Sequence, residues 1–396
     1  MVSLHYSVYL VGCDKIMELI KIKRSAKVSI HHTRSVSLNS KSHVFRVPPR
    51  PMKEQEPDYE EKYDYTTVLY DIFPHFGKYM AVAPPTQNLK AYITHHHQRI
   101  SKDRTEIFHF NSLPQNLEDL IDLPVDISHS NIENEQQYDC FENLNVVVTM
   151  SKNNDLQWIK DWAEFYGKKH NIKGVLIYDN NSTDYEVEDI ANTLSTVSSI
   201  DVAVVVKWPF KYGPETKRQT APKGKPLRKR PDSNYCQLSM FEHARWKYLS
   251  KSALVVNCDI DELVISESSQ TISDIIKDGV GVSIDGTWIH TTKDAQFDNK
   301  PPRHKDYWLF DEKSTKCATK WAVRPSMVSS ECQWMTHRIN GLDLPTDTDL
   351  RFRHFRGINT NWKENRTSKF DNNVSLKPDL TLKRDLNSAF NAEESK

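Results

Sequence analysis

Two aspartates spaced two residues apart, Asp259 and Asp261, directly follow an apolar run at residues 253–258. Carboxylate oxygens are hard ligands that suit Mg²⁺ or Mn²⁺, and such ions also bind phosphate oxygens. A cation held there can neutralise charge that develops on a leaving diphosphate. Because acidic tripeptides are common on protein surfaces, a second interpretation stays open, in which the two carboxylates only cap a loop.

The apolar run belongs to a regular alternation of predicted strands and helices that begins at Asn145. Strict alternation of this kind predicts an α/β domain with a mainly parallel sheet. Apolar runs predict buried strands at residues 146–150, 175–178, 202–206 and 253–258. Apolar residues at helical spacing predict helices at residues 156–166, 187–197 and 238–248.

Polar side chains follow three of the predicted strands. Thr149 and Ser151 lie at the end of the first strand, Asp179 follows the second, and Asp259 follows the fourth. Ligands of parallel α/β sheets bind outside the carboxyl ends of the strands, so we expect these side chains to converge on one edge. For Asp179 an ordinary turn is an equal alternative, because Asp and Asn favour turns.

The regions around this alternation differ in character. Residues 1–140 contain Pro-rich and acidic stretches, which predict a partly irregular N-terminal extension. The main domain is assigned to residues 141–366 and should be β-rich in its second half. Residues 367–396 are polar and are predicted to form a loose tail. Strands without long helices between them are predicted at residues 280–290, 316–325 and 349–356.

Composition bounds the class of protein. Lys and Arg together number 53, as do Asp and Glu, so the formal net charge is zero and no nucleic-acid partner is expected. The six cysteines form no CxxC pair, a pattern that suits a reducing compartment. No apolar run is long enough to span a bilayer, and no signal peptide is expected. A cytoplasmic location is therefore predicted, with peripheral attachment to a membrane left open.

Several short motifs follow one another along the chain, at residues 154–155 with 158–162, 174–184, 257–263, 320–325, His337 and 354–356. In this order they resemble the motifs of the family 2-like and family 92-like glycosyltransferases, and the resemblance covers residues 145 to about 360. It implies a GT-A fold, with a mainly parallel sheet flanked by helices. It also implies a nucleotide-sugar donor, most typically a UDP-sugar, and a divalent cation, Mn²⁺ or Mg²⁺.

The same resemblance implies roles for individual side chains. Asp259 and Asp261 fall on the family's Asp-x-Asp motif, where both serve the metal and donor site and Asp261 is the more direct ligand. His354 matches a late histidine that completes the metal site, and the alternative is a histidine that points into an apolar core. Asp179 matches the position that contacts uracil or ribose. Two further residues are implied to line the donor pocket, Thr149 and Ser151.

An inverting sugar transfer needs a general base near the acceptor hydroxyl. Each candidate has an alternative as a structural polar residue. The expected acceptor is a glycan or a lipid-linked molecule, in glycan or surface-polysaccharide synthesis. The segment 283–288, where acceptor contacts are expected, does not match the family clearly. The candidate bases are Asp285, Glu331 and His337.

Two other functions stay open. A nucleotidyltransferase usually carries a glycine-rich basic loop after the first strand, where this chain offers only Lys152. A non-catalytic nucleotide-sugar or glycan-binding module would keep the fold without turnover. The Lys- and Arg-rich loop at residues 207–232 is predicted to be either a mobile lid that attracts phosphate groups or a solvated insertion.

Overall fold

The computed structural model describes residues 26–129, 135–214, 234–291, 302–360 and 375–390. Its N-terminal part, predicted to be partly irregular, contains eight short strands within residues 27–127 and also segments without strands, such as residues 39–66. The strands are only three to six residues long, which leaves too few residues for a clear alternating pattern. These strands are β1 (Lys27–His32), β2 (Val36–Leu38), β3 (Thr67–Leu69), β4 (Asp71–His75), β5 (Lys78–Ala83), β6 (Gln98–Lys102), β7 (Thr105–Phe110) and β8 (Val125–Ile127).

Most of these strands form two small antiparallel sheets, with strand orders β4-β5-β7-β6 and β3-β2-β8. The exception is β1, which joins an eleven-stranded central sheet. The remaining strands are β9 (Asn145–Ser151), β10 (Gly174–Asp179), β11 (Val202–Lys207), β12 (Leu254–Asn257), β13 (Glu262–Ser266), β14 (Gly281–His290), β15 (Leu309–Phe310), β16 (Lys320–Val323), β17 (Gln333–Trp334), β18 (Ile339–Asn340), β19 (Thr346–Phe355) and β20 (Lys377–Pro378).

One half of the central sheet is parallel, in the order β1-β11-β10-β9-β12. The inner strands β10 and β12 are buried along their whole length, as is usual for parallel strands covered on both faces, whereas the edge strand β1 is partly polar and mostly half-buried or exposed. Val148 pairs in register with Leu176, and Leu176 with Val204, so the carboxyl ends of the strands lie at one edge. That edge therefore collects the residues that follow β9, β10 and β12.

The other half of the sheet is largely antiparallel, so the predicted mainly parallel sheet is wrong and the sheet is mixed. Strand β16 runs antiparallel to both β12 and β14, and β13 runs antiparallel to β19. The long strands β14 and β19 lie parallel to each other. Among the described residues, no long helix connects these later strands, as is usual for antiparallel neighbours. The predicted β-rich second half is confirmed.

Helices cover the two faces of the sheet. On one face α2 and α3 pack through residues such as Ile159 and Leu194. On the other face α4 packs together with Tyr70 and Phe73 of the N-terminal region. Each buried side chain of this size contributes roughly 1.5–3 kcal/mol. The helices are α1 (Tyr59–Lys62), α2 (Leu156–His170), α3 (Val187–Ser195), α4 (Tyr235–Ala244), α5 (Ile272–Ile276) and α6 (Leu380–Phe390).

The predicted loose tail contains the helix α6. Its apolar side chains Leu382, Leu386 and Phe390 are buried in the same core as α2. This helix was not predicted from the sequence, because the tail is mostly polar and only a narrow stripe of the helix is apolar. Residues 361–374 and 391–396 lie outside the described residues.

Residues 215–233, which make up most of the basic loop predicted to be a lid or an insertion, lie outside the described residues. Within the described ranges, every helix is too short or too polar to cross a membrane.

The buried ring of His170, the last residue of α2, should make the protein less stable in mild acid. Its Nε2 donates to the carbonyl of Val264 at 2.7 Å, and the ring is fully buried. Burial lowers the pKa of His170 to about 4 from an ordinary value near 6.5. The unfolded chain therefore binds the proton first, so this contribution is complete above pH 6.5 and is lost as the pH falls towards 4.

Urea unfolding of the wild type and of His170→Gln between pH 7 and pH 4 checks this expectation. The glutamine amide still donates a hydrogen bond but does not titrate. The stability advantage of the wild type over the variant should shrink by about 3 kcal/mol across this range, at 1.36 kcal/mol per pH unit. A difference that is independent of pH would show that the proton is not excluded from this site.

Candidate metal centre

A tight turn joins β12 to β13 and carries the acidic residues. The backbone N–H of Glu262 donates to the carbonyl of Asp259 at 3.0 Å, and the N–H of Asp259 donates to the Glu262 carboxylate at 3.0 Å. The carbonyl of Asp261 accepts from the N–H of Phe355 at 2.9 Å. These bonds tie the turn to the end of β19, so the carboxylates project from a fixed backbone.

Three side chains near this turn can together hold a cation: Asp261, Glu262 and His354. One ligand atom from each lies within 4.8 Å of the others. Strand register brings them together, because Glu262 on β13 pairs directly with His354 on β19. Nε2 of His354 lies 2.9 Å from Oδ2 of Asp261, and its Nδ1 lies 3.5 Å from Oε1 of Glu262. The imidazole therefore stands between two carboxylates.

The orientation of the His354 ring is fixed by Trp288. Trp288 on β14 pairs with His354 on β19, and the two rings stack with centroids 4.0 Å apart and planes 24° apart. Two residues earlier on β14, Gly286 leaves room for the ring of Phe352, since a Cβ there would lie 2.1 Å from that ring. The aromatic contacts hold the imidazole edge towards the carboxylates.

The carboxylates change the proton affinity of the imidazole. Burial alone would lower the pKa of His354, but the charge and hydrogen bond of Asp261, with further contributions from a hydrogen bond with Cys317 and from the charge of Glu262, raise it to about 10. The surroundings of the ring therefore favour positive charge. Any bound cation competes with a proton for the ring, because metal ligands must be deprotonated.

Asp259 and Glu262 share a buried ammonium group. Nζ of Lys320, which is fully buried, lies 2.6 Å from Oδ2 of Asp259 and 3.0 Å from Oε2 of Glu262. Burial would raise the pKa of Asp259, but Lys320 outweighs burial and lowers it. The group of possible ligands therefore adds Glu262 to the predicted Asp261 and His354, and the role of Asp259 as a ligand stays a prediction.

A cavity of about 160 Å³ opens beside this group at the carboxyl edge of the parallel strands. It confirms the expected convergence in part, since Ser151 lines it together with Asp259, Asp261 and His354. Its other lining residues include Met150, Lys152, Asn154, Asn180, Tyr212, Gln237 and residues 358–360.

Two of the expected donor residues lie behind the cavity wall. Thr149 is fully buried within β9. Asp179 is 5% exposed and accepts hydrogen bonds from the hydroxyl and the backbone N–H of Ser182. Burial raises the pKa of Asp179. In this structure Asp179 holds the loop after β10, which is the turn alternative, and the next residue, Asn180, reaches the cavity.

The three candidate bases lie in different places. His337 is close enough to Asp259 to help lower the pKa of that carboxyl, and its Nδ1 lies 3.0 Å from the carbonyl of Thr319. Asp285 lines a separate cavity together with Phe310 and lies opposite Arg351 in the register of β14 with β19. Glu331 is exposed in a loop. The structure therefore brings only His337 of the three towards the acidic turn.

Several residues of the site were missed from the sequence. Glu262 stands in the same acidic run as the two aspartates, and Lys320 begins one of the matched motifs, so both were visible without being assigned a role. Trp288 gave no signal, because its role depends on lying next to His354 across two strands. Asn180 follows Asp179 in a turn-forming stretch.

No protein-family model matches the sequence, and no curated protein is detectably similar to it. Among solved structures, the chain is similar to core-mannan synthase A from Aspergillus fumigatus in its Mn/GDP form. The identity is 10%, the match covers 50% of this chain and 55% of that chain, and the TM-score is 0.24. The chain thus spans about half the length of that protein. The case for a function rests on the site itself.

Proposed function

We propose that the protein is a metal-dependent glycosyltransferase that moves a sugar from a nucleotide-diphosphate sugar to an acceptor hydroxyl. The observation that carries this proposal is the placement of Asp261, Glu262 and His354. Asp261 and His354 line the cavity that reaches the ends of β9 and β10, at the carboxyl edge of the parallel strands, and Glu262 lies within reach of both. Ligands of open α/β sheets bind at such an edge.

The donor atoms suit a first-row divalent cation. Two carboxylates and one imidazole give an oxygen, oxygen and nitrogen set, which favours Mn²⁺ over Mg²⁺ because Mg²⁺ strongly prefers oxygen ligands alone. When bound, the cation would neutralise charge on the diphosphate leaving group. Asp261 and His354 are partly exposed at the cavity, whereas Glu262 is buried behind them.

The nucleotide half of the donor is proposed to occupy the ends of β9 and β10. Ser151 and Asn180 are joined by a backbone hydrogen bond of 2.8 Å, and Asn180 also donates to the carbonyls of Trp208 and Phe210. This wall is therefore rigid before ligand binds. Lys152 lines the same cavity and adds a positive charge that attracts phosphate groups.

His337 is the proposed general base. A carbonyl only accepts hydrogen bonds, so the ring donates from Nδ1 to Thr319, and in the neutral imidazole the lone pair then lies on Nε2. The ring is exposed and lies on the side of the turn that carries Asp259. It can therefore accept a proton from an acceptor hydroxyl, which fits an inverting displacement.

The alternative functions have less support. The residues after β9, Lys152 to Asp155, contain no glycine and lead directly into α2, so they do not form the phosphate loop typical of a nucleotidyltransferase. A non-catalytic binding module would share the cavity and the cation site. It differs in one measurable respect, because it would bind the donor without releasing nucleoside diphosphate.

Thermal unfolding with UDP or GDP, in the presence of Mn²⁺, Mg²⁺ or EDTA, tests the proposal. A nucleoside diphosphate should stabilise the protein only when the cation is present, by about 2.7 kcal/mol at a concentration of 100 times Kd. Release of UDP or GDP from the corresponding sugar nucleotides then separates a transferase from a binding module. Equal stabilisation with Mn²⁺ and with EDTA would count against the metal-dependent mechanism.

A further inference from the structure

The backbone carbonyl of Ile260 lies between the two aspartates of the acidic turn and is held from behind by a histidine. Ile260 is 2% exposed, and its carbonyl accepts a hydrogen bond of 2.9 Å from Nε2 of His304. His304 is itself fully buried, and its ring lies edge-on to Phe355 at 5.1 Å between centroids. The bond therefore fixes the peptide that directly precedes Asp261.

His304 is anchored to α2 through its neighbours. The carbonyl of Pro302 accepts from the indole of Trp158 at 2.6 Å. The guanidinium of Arg303 makes a bidentate pair with Asp161, and its backbone N–H donates to Asp306 at 2.7 Å. The short segment 302–306 thus connects the acidic turn to a helix that packs on the sheet.

The chemistry of the ring leaves it one hydrogen bond. Because a carbonyl only accepts, Nε2 must carry the hydrogen, and burial lowers the pKa of His304, so the ring is neutral. Its Nδ1 is buried and has no hydrogen-bond partner among the described residues. An unsatisfied buried polar atom costs stability. A hydrophobic side chain would avoid that cost. The benefit of a histidine at this position is therefore its hydrogen bond to the carbonyl of Ile260.

We propose that His304 is a positioning residue that sets the direction of the Asp261 carboxylate through the Ile260 carbonyl. This inference rests on the proposed cation site formed by Asp261, Glu262 and His354. Without the bond from His304, the peptide between Ile260 and Asp261 is held only by the hydrogen bonds of its neighbours, so the Asp261 carboxylate is directed less firmly towards His354. The expected consequence is weaker cation binding rather than loss of the fold.

A second buried histidine supplies a matched control. His170 is also fully buried, and its Nε2 donates to the backbone carbonyl of Val264 at 2.7 Å. Its Nδ1 likewise has no partner among the residues described. Val264 lies two residues beyond Glu262 on β13, so loss of this bond should weaken the structure without turning a ligand.

The test measures the Kd for Mn²⁺ by electron paramagnetic resonance on the full-length wild type and four variants. We expect His304→Leu to raise the Kd roughly 10-fold or more, the effect typical of removing an outer partner of a metal ligand. His304→Gln should stay within about 3-fold, because its amide can donate from the position of Nε2. His170→Leu should leave the Kd unchanged. His304→Asn, whose amide is too short to reach Ile260, replaces the leucine variant if that does not fold.

The outcomes separate this inference from the proposed function. If the wild type does not bind Mn²⁺, the cation site fails and the role of His304 fails with it. If the wild type binds Mn²⁺ and the leucine or asparagine variant binds equally well, only the positioning role is overturned. An equal loss in His304→Leu and His170→Leu would also overturn it, because general destabilisation would then explain both.

Discussion

The Asp261→Asn variant is expected to lose Mn²⁺ binding and sugar transfer while it keeps the fold of the wild type. Asp261 is partly exposed at the cavity and contributes one of the two carboxylates of the candidate metal centre. Asparagine preserves the size of the side chain but removes its charge. Removal of an outer partner alone typically costs 10–100-fold in metal affinity, so loss of a direct ligand should weaken Mn²⁺ binding by more than about 100-fold.

Calorimetry with Mn²⁺, followed by titration of UDP in the presence of Mn²⁺, measures this loss directly. Asp285→Asn provides a matched control, because it makes the same change in a carboxylate that lines a different cavity. The control should bind Mn²⁺ as the wild type does. An Asp261→Asn variant with wild-type affinity for Mn²⁺ would falsify the assignment of this group, whatever its effect on turnover.

The buried parallel strands were readable from sequence because their pattern is local. A strand covered on both faces is a continuous apolar run, and residues 175–178 were predicted where β10 spans Gly174–Asp179. The edge strand β1 could not be found this way. Its residues lie more than 100 positions before β9, and its membership depends on pairing with β11, which no local pattern reveals.

The location of the candidate site could be predicted from the sequence, but the contacts among its residues could not. The acidic turn follows an apolar run, so its place at the sheet edge followed from the alternation of strands and helices. The ion pairs of the acidic turn depend on Lys320, which lies 61 positions from Asp259 in the sequence. The contacts of Trp288 and His304 likewise arise only after distant strands and loops pack together. Long-range contacts therefore decide the chemistry of a site that local patterns can locate.

Loss of Lys320 should strongly reduce stability. Its ammonium group is fully buried and lies 2.6 Å from Asp259 and 3.0 Å from Glu262. Burial alone would lower the pKa of Lys320, but the two carboxylates raise it well above its ordinary range. Burial raises the pKa of Glu262 even with Lys320 beside it. Without this ammonium, the partly exposed carboxylate of Asp259 and the buried carboxylate of Glu262 would lose the counter-ion that they share.

We therefore expect Lys320→Met to reduce the free energy of unfolding by about 3–5 kcal/mol at neutral pH, the cost typical of breaking a buried ion pair. Lys377→Met is the matched control, since Lys377 lies 2.7 Å from Glu312 but both side chains are more than half exposed, at 53% and 58%. That change should cost less than about 1 kcal/mol.

Urea unfolding measures the stability loss in both variants, and Glu262→Gln added to Lys320→Met should recover part of the loss. The penalty should also shrink in acid, because protonated carboxyls need no counter-ion. A Lys320→Met variant no less stable than Lys377→Met would mean that the acidic turn does not depend on this charge.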